Sequence, residues 1–289
     1  MDSDVALREV RATLLRAGLA DTELAVGGTI LRREPLAARA SAQALPSVSI
    51  GSNGATADFV LVRQIGRGGM GVVHVAHQRS IDRDVAVKTT ATSDTAVARA
   101  LVREARIMGA LEHPSLVPVH LLGRAPDGSL VLVMKRVDGV PWSALLDDSE
   151  HAAWAPLLVG HGDRLRANVE VLAQICRALA FAHDRRVVHL DLKPENVMIG
   201  RFGEVVLLDW GVALRLDERD AEPDAIVGTP ACMAPEMARG DARLVDARTD
   251  VYLLGATLFE ILTGRAIHAA DSAVAAIVLA IRGEVPPLP

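Results

Sequence analysis

Three glycines and a lysine pose the first chemical question. The stretch IGRGGMGVV, residues 65–73, places Gly66, Gly68 and Gly71 on the spacing G-x-G-x-x-G, with Ile65, Arg67, Gly69, Met70 and Val73 around them. Glycines so spaced let backbone N–H groups come close to phosphate oxygens, so the chemistry is anion binding. The spacing alone is weak evidence, because dinucleotide-binding folds share it. There the third glycine opens a helix, whereas here VVHVA follows, a β-branched run that reads as a strand. The loop therefore joins two antiparallel strands. VAVK then ends an apolar strand on Lys88, whose stem lies among apolar neighbours and leaves its ammonium free to meet an anion. Glu104, in LVREARIM, is the natural counter-charge. Singly, each feature is a hairpin turn or a solvated surface charge; in this order they form an anion-handling set. Further along, HLDLKPENVMIG spaces Asp191, Lys193 and Asn196 as D-x-K-x-x-N.

The elements that must position these groups follow from periodicity. Valine-rich alternation predicts strands over DFVLVRQI, GVVHVAHQ and DVAVKTT, between residues 58 and 90. Helical spacing covers 94–111, and LVPVHLL and SLVLVMKRV, split by the turn APDG, predict a hairpin. Beyond Gly139 longer helical runs take over, above all 163–184 and 247–263, with two short strand pairs between them. The predicted class is α+β and bilobal: a small β-rich N-lobe over 58–138, a hinge near 134–139 and a larger, mainly helical C-lobe over 139–289. Residues 1–57 read as an N-terminal extension. It comprises a short helix over 4–17 closed by Gly18, then a flexible linker from about Glu34 to Ala57.

Bulk properties exclude other classes. A net charge of -5, with Lys and Arg dispersed instead of blocked, argues against nucleic acid as a partner. The two cysteines, Cys176 and Cys232, lack metal-ligand spacing and read as inert thiols in a reducing compartment. The N-terminus MDSDVALREV has acid where a signal peptide needs base, and VYLLGATLFEIL and AVAAIVLAI are too short or too charged to span a membrane. A cytoplasmic location is expected.

Taken in order from about residue 59 to 265, IGRGGMGVV, VAVK, Glu104, EHPSLV, HLDLKPEN, DWG at 209–211, GTPACMAPE and DARTDVYLLGATLFEILTGR resemble the eukaryotic-type protein kinase family. The likeness is strongest to its bacterial Ser/Thr members. It implies a kinase-like fold that transfers the γ-phosphoryl of ATP to protein serine or threonine hydroxyls with Mg²⁺. Asp191 would accept or orient the proton of the substrate hydroxyl, and Lys193 would sit beside the transferring phosphoryl. Asn196 and Asp209 would offer the hard oxygens Mg²⁺ prefers, and Lys88, fixed by Glu104, would bind the α- and β-phosphates. Val73 and Ala86 from one side and Met198 from the other would enclose adenine. The backbone from Lys135 to Val137 would hydrogen-bond its edge, with Met134 as gatekeeper. Asp250 would hold the backbone of the HLD turn.

The sequence also departs from that family. Leu190 stands where an arginine usually pairs with a phosphate on the activation segment, a contact leucine cannot make. Between Asp209 and Glu236 the one hydroxyl is Thr229, at the position where the family's threonine contacts the active-site lysine and aspartate; DERDAEPD makes the segment acidic without modification. Together these imply activity without activation-segment phosphorylation. Trp210 replaces a phenylalanine and is expected to pack against Met108 and His189. Lys135 and Arg136 replace an acidic and aromatic pair. Family domains continue for further helices after the segment that here stops at RGEVPPLP, one of them carrying an arginine that pairs with Glu236. Either the chain is a cut fragment or the lobe is completed by something else, and since burying Glu236 without that partner would be costly, a partly exposed apolar C-lobe face and reduced stability are expected. Ser41, Ser47, Ser49, Ser52 and Thr56 are candidate autophosphorylation sites, tethered at high effective concentration. A pseudokinase or nucleotide-binding regulatory module is the alternative reading, and a small-molecule phosphotransferase a third.

Overall fold

The structure, a computed structural model, describes residues 28–30, 45–51, 57–68, 71–90, 95–159, 162–218 and 225–288. The chain divides into two compact units, Arg33–Asp138 on one hand and Met1–Arg32 with Gly139–Pro289 on the other.

The Arg33–Asp138 unit is a six-stranded sheet with one helix. Strands β1 (Ile50–Gly51), β2 (Phe59–Gly68), β3 (Gly71–Gln78), β4 (Arg83–Thr89), β5 (Val119–Arg124) and β6 (Leu130–Lys135) lie in the order β1-β2-β3-β4-β6-β5. All pairs are antiparallel except β1 with β2. The valine alternation seen in the sequence becomes a buried face: Phe59, Ala76, Val85, Val87, Val131 and Val133 form its core. The hairpin at APDG turns through Gly128, whose φ of +87° a side chain would resist. A helix over Thr95–Gly109 completes the unit.

Part of the stretch read as a flexible linker is a structural strap instead. Ser47 bridges to Arg124 in parallel, with Val48 N–H donating to Arg124 O and Arg124 N–H donating to Pro46 O. A few residues on, Ile50–Gly51 pairs with β2. The segment thus runs from the edge of β5, at Arg124, to the edge of β2, at Phe59–Val60, and shields part of each edge, which would otherwise invite association. Val48 is buried in the core cluster and Ile50 packs against it. The sequence signal was the alternation Val48-Ser49-Ile50, too short to stand out in a polar, proline-bearing run. The predicted helix over 4–17, and residues 31–44 and 52–56, lie outside the described residues.

In the other unit, β7 (Gly139–Pro141), β9 (Val197–Gly200) and β10 (Val205–Leu207) form one antiparallel sheet, and β8 (Val187–Val188) pairs with β11 (Leu214–Arg215). Its central helix, Arg164–Asp184, starts on an Asp163 cap and buries Ala167, Val171, Ile175, Ala178, Leu179 and Ala182, a face of three- and four-residue steps. Trp142 is fully buried and its indole N–H donates to Asn168 Oδ1 at 2.8 Å. The Ala247–Thr263 helix opens on a capping box of Asp246 and Thr249 and closes on Gly264 in the left-handed region. Among the described residues no helix is long and apolar enough to cross a membrane.

The strap predicts two outcomes. Val48→Ala should destabilise the protein by about 2 kcal/mol, read from denaturant unfolding. Gly123→Val should be more damaging, because even a Cβ there would lie 2.2 Å from the Val48 side chain and 2.9 Å from Pro46 O. Unchanged midpoints in both variants would show that the strap adds nothing.

Candidate active site

The site on the helical unit begins with a strained turn. Leu190 is fully buried at φ +66°, a left-handed conformation that a bulky residue resists. Asp250, wholly buried in the first turn of the Ala247–Thr263 helix, holds that turn. Its Oδ2 accepts from His189 N–H at 2.9 Å and its Oδ1 from Leu190 N–H at 3.0 Å, while His183 Nε2 lies 2.7 Å from Oδ2. His189 is locked as well: Asp191 N–H donates to its Nδ1 at 3.2 Å and its Nε2 lies 2.9 Å from Leu208 O, so the ring proton sits on Nε2. Trp210 is buried and meets the His189 ring edge-to-face, with centroids 4.6 Å apart.

This backbone presents Asp191, 2% exposed, as the centre of a polar cluster. Asn196 Nδ2 donates to Asp191 Oδ2 at 2.9 Å and to its carbonyl at 2.8 Å. Lys193 Nζ lies 3.6 Å from Oδ2. Thr229 links the two charges, accepting from Lys193 Nζ at 2.7 Å and donating to Asp191 Oδ1 at 2.6 Å. A second threonine does the same: Thr29 Oγ1 accepts from Lys193 Nζ at 3.0 Å and donates to Asp191 Oδ2 at 2.8 Å. Sequence reasoning passed over Thr29; a hydroxyl in GGTIL carries no signal until the fold sets it against Asp191. Asp209 is exposed at φ +55°, its Oδ1 accepting from Gly211 N–H at 3.3 Å, and Met198 sits in β9 opposite Val206.

The sheet unit carries the other predicted residues. Lys88, in β4, donates to both oxygens of Glu104 at 2.8 and 2.7 Å, and Glu104 is 3% exposed. Strands β2 and β3 form the glycine hairpin, with Gly66 opposite Val73, Arg67 opposite Val72 and Gly68 opposite Gly71; Gly69 and Met70 lie outside the described residues. Gly71, at φ +141°, admits no side chain, since a Cβ would stand 2.1 Å from Thr89 O. Ala86 pairs with Met134 across β4 and β6, Ile65 is exposed on β2, and Lys135 is exposed at the end of β6, two residues before Val137. Arg136 pairs with Asp84 at 2.5 Å and Asp138 at 3.7 Å.

Glu236, expected to be costly to bury without a partner, is only half-buried, and its Oε1 accepts from Thr249 Oγ1 at 2.7 Å. Both cysteines are free, and burial raises both thiols, which disfavours the reactive thiolate.

With this geometry in view, comparison with known proteins decides the family. Residues 59–283 match the model of the protein kinase domain. The chain belongs to the protein kinase family. It is similar to the serine/threonine-protein kinase PknB of Mycolicibacterium smegmatis, 38% identical over 233 residues, covering 77% of this chain and 35% of that protein. PknB of Mycobacterium tuberculosis (strain ATCC 25618 / H37Rv) matches with the same identity and coverage. The serine/threonine-protein kinase PknD of Chlamydia muridarum is 33% identical over 265 residues, covering 79% of this chain and 28% of that protein. This kinase domain thus spans about a third of the length of the curated relatives it matches.

Glu260 yields a pH prediction for the kinase domain. Burial, then the neighbouring carboxylates Glu195 and Asp147, push its pKa up to about 7 against the partial relief of Lys193. The folded state therefore holds a proton that the unfolded chain gives up at lower pH, so stability should fall as pH rises from about 4.5 to 7. Glu260→Gln should flatten that slope: its melting temperature relative to the parent should be higher at pH 8 than at pH 5. An equal difference at both pH values would refute the account.

Proposed function

We propose that this domain is an active kinase that transfers the γ-phosphoryl of ATP to serine or threonine hydroxyls of a protein substrate. The observation that carries this reading is the hydrogen-bonded set of Asp191, Lys193 and Thr229, in which a hydroxyl lies between a buried carboxylate and a buried ammonium. Such a set can receive a proton from an alcohol at Asp191 while Lys193 offsets negative charge growing beside it.

The donor chemistry suits the nucleotide and its metal. Asn196 and Asp209 offer amide and carboxylate oxygens, hard donors of the kind Mg²⁺ takes while keeping waters and phosphate oxygens in its shell. When bound, Mg²⁺ and ATP supply the electrophilic phosphorus and neutralise charge on its leaving group. Lys88, fixed by the two-pronged contact of Glu104, binds the α- and β-phosphates in this proposal, and the glycine hairpin from Gly66 to Gly71 covers them with backbone N–H groups. In this proposal Val73, Ala86 and Met198 each offer adenine an apolar contact, Met134 is gatekeeper, and the backbone of residues 135–137 reads its edge.

The same reading includes independence from activation-segment phosphorylation. Leu190 is apolar and fully buried, so it cannot hold a phosphate. Thr229 is buried with its hydroxyl engaged by Lys193 and Asp191, so a phosphate there would dismantle the cluster. We also place the domain in the cytoplasm, where ATP is supplied, consistent with two free cysteines.

Transfer of labelled phosphate from ATP to a generic protein substrate tests the reading. Asp191→Asn should lower the rate about 10²- to 10⁴-fold, and equal rates would overturn it. Protein found by mass spectrometry to carry no phosphate between Asp209 and Glu236 should be fully active; a requirement for phosphate at Thr229 would refute independence.

A further inference from the structure

We propose that Thr29 is a phosphoacceptor modified by its own domain within one molecule. This rests on the kinase reading above. Two independent features of the helical unit support it. The first is chemical: the Thr29 hydroxyl donates to Asp191 Oδ2 at 2.8 Å and accepts from Lys193 Nζ at 3.0 Å, so its proton already points at the carboxylate assigned to receive one.

The second is the backbone that delivers it. Ile30 and Gly228 form an antiparallel bridge, Ile30 N–H donating to Gly228 O at 2.8 Å and Gly228 N–H donating to Ile30 O at 2.9 Å. Ile30 is 2% exposed, so the residue after the hydroxyl is anchored by burial as well as by the bridge. Gly228 sits at φ +97°, where a Cβ would stand 2.7 Å from Leu190 O and 2.6 Å from the Met237 terminal methyl. The bridge therefore lies directly against the turn that carries Asp191. A backbone bridged at Ile30 beside the turn of Asp191, with the neighbouring hydroxyl on that carboxylate, is what a peptide substrate has to present, and here the chain supplies it.

Thr29 differs from Thr229, which makes the same two contacts. Thr229 is 4% exposed and its hydroxyl is given to Asp191 Oδ1, whereas Thr29 is only half-buried, its Oγ1 lying 3.3 Å from Thr229 Oγ1. In the transfer, Thr29 Oγ1 forms a bond to the terminal phosphorus of a nucleoside triphosphate, and the bond from that phosphorus to the diphosphate oxygen breaks. The nucleoside diphosphate leaves with the electron pair, and the hydroxyl proton passes to Asp191. The added phosphate then faces the Asp191 carboxylate as a like charge, which favours departure of the segment. Ser47 and Ser49, considered above as acceptors, lie in the strap of the other unit and are held there by Arg124 and Asp58.

The test uses the full chain, first treated with phosphatase, then incubated with Mg²⁺ and ATP beside a generic protein substrate in the same tube. Phosphopeptide mapping should find phosphate on Thr29, formed at a rate per molecule unchanged by tenfold dilution. It should be absent from Thr29→Val, whose melting temperature is measured alongside, and from Asp191→Asn. No phosphate on Thr29, including phosphate confined to residues 41–56, overturns the inference. So does a rate per molecule that falls tenfold on dilution, the mark of transfer between molecules. If the generic substrate is labelled while Thr29 is not, the inference alone fails; if neither is labelled, the kinase reading fails with it.

Discussion

Everything at the site hangs on one buried carboxylate. Asp250 has no exposure, and both of its oxygens are taken by the backbone N–H groups of His189 and Leu190 and by the ring of His183. A carboxylate accepting several such bonds tolerates burial that an isolated one would not. In return it stabilises Leu190 in a left-handed conformation, which directs the next residue, Asp191, into the cluster. The pairing joins residues 60 positions apart, so this support for the turn comes from the docked Ala247–Thr263 helix.

The cluster itself is a balance of charges that neither partner could sustain alone. Lys193 and Asp191 are both buried and stand 3.6 Å apart, close enough for a hydroxyl beside them to bond both. Burying two ions is costly unless further hydrogen bonds complete their shells. Thr229, Asn196 and Thr29 do this for Asp191. The need for polar completion explains why two hydroxyls of the chain settle against Asp191 and Lys193. The fully buried leucine at 190 belongs to the same economy, since it adds no charge to an environment already holding several.

In the sheet unit the constraint is different and mainly apolar. Its β-sheet would present two open edges, and the Pro46–Gly51 segment pairs with one end of each, at Arg124 and at Phe59–Val60, while adding Val48 to the core. Lys88 lies in β4 of this sheet, and Glu104 reaches it from the helix over Thr95–Gly109.

Much of this was legible in the residues themselves. Valine alternation gave the strands, three- and four-residue apolar steps gave the Arg164–Asp184 and Ala247–Thr263 helices, and motif order gave the family, because each signal lies within a few neighbouring residues. The strap was misread because its apolar alternation is three residues long, below what local pattern can separate from a linker. Thr29, and the hydroxyl partner of Glu236, were beyond reach for another reason: they join residues 162 and 13 positions apart through side chains that carry no periodic signature. Local composition decides which elements form, since propensity and hydrophobic period act over a turn or a strand pair. Which polar groups meet is decided only when those elements pack, since a buried charge takes whatever hydrogen-bond donors the completed fold brings within 3 Å.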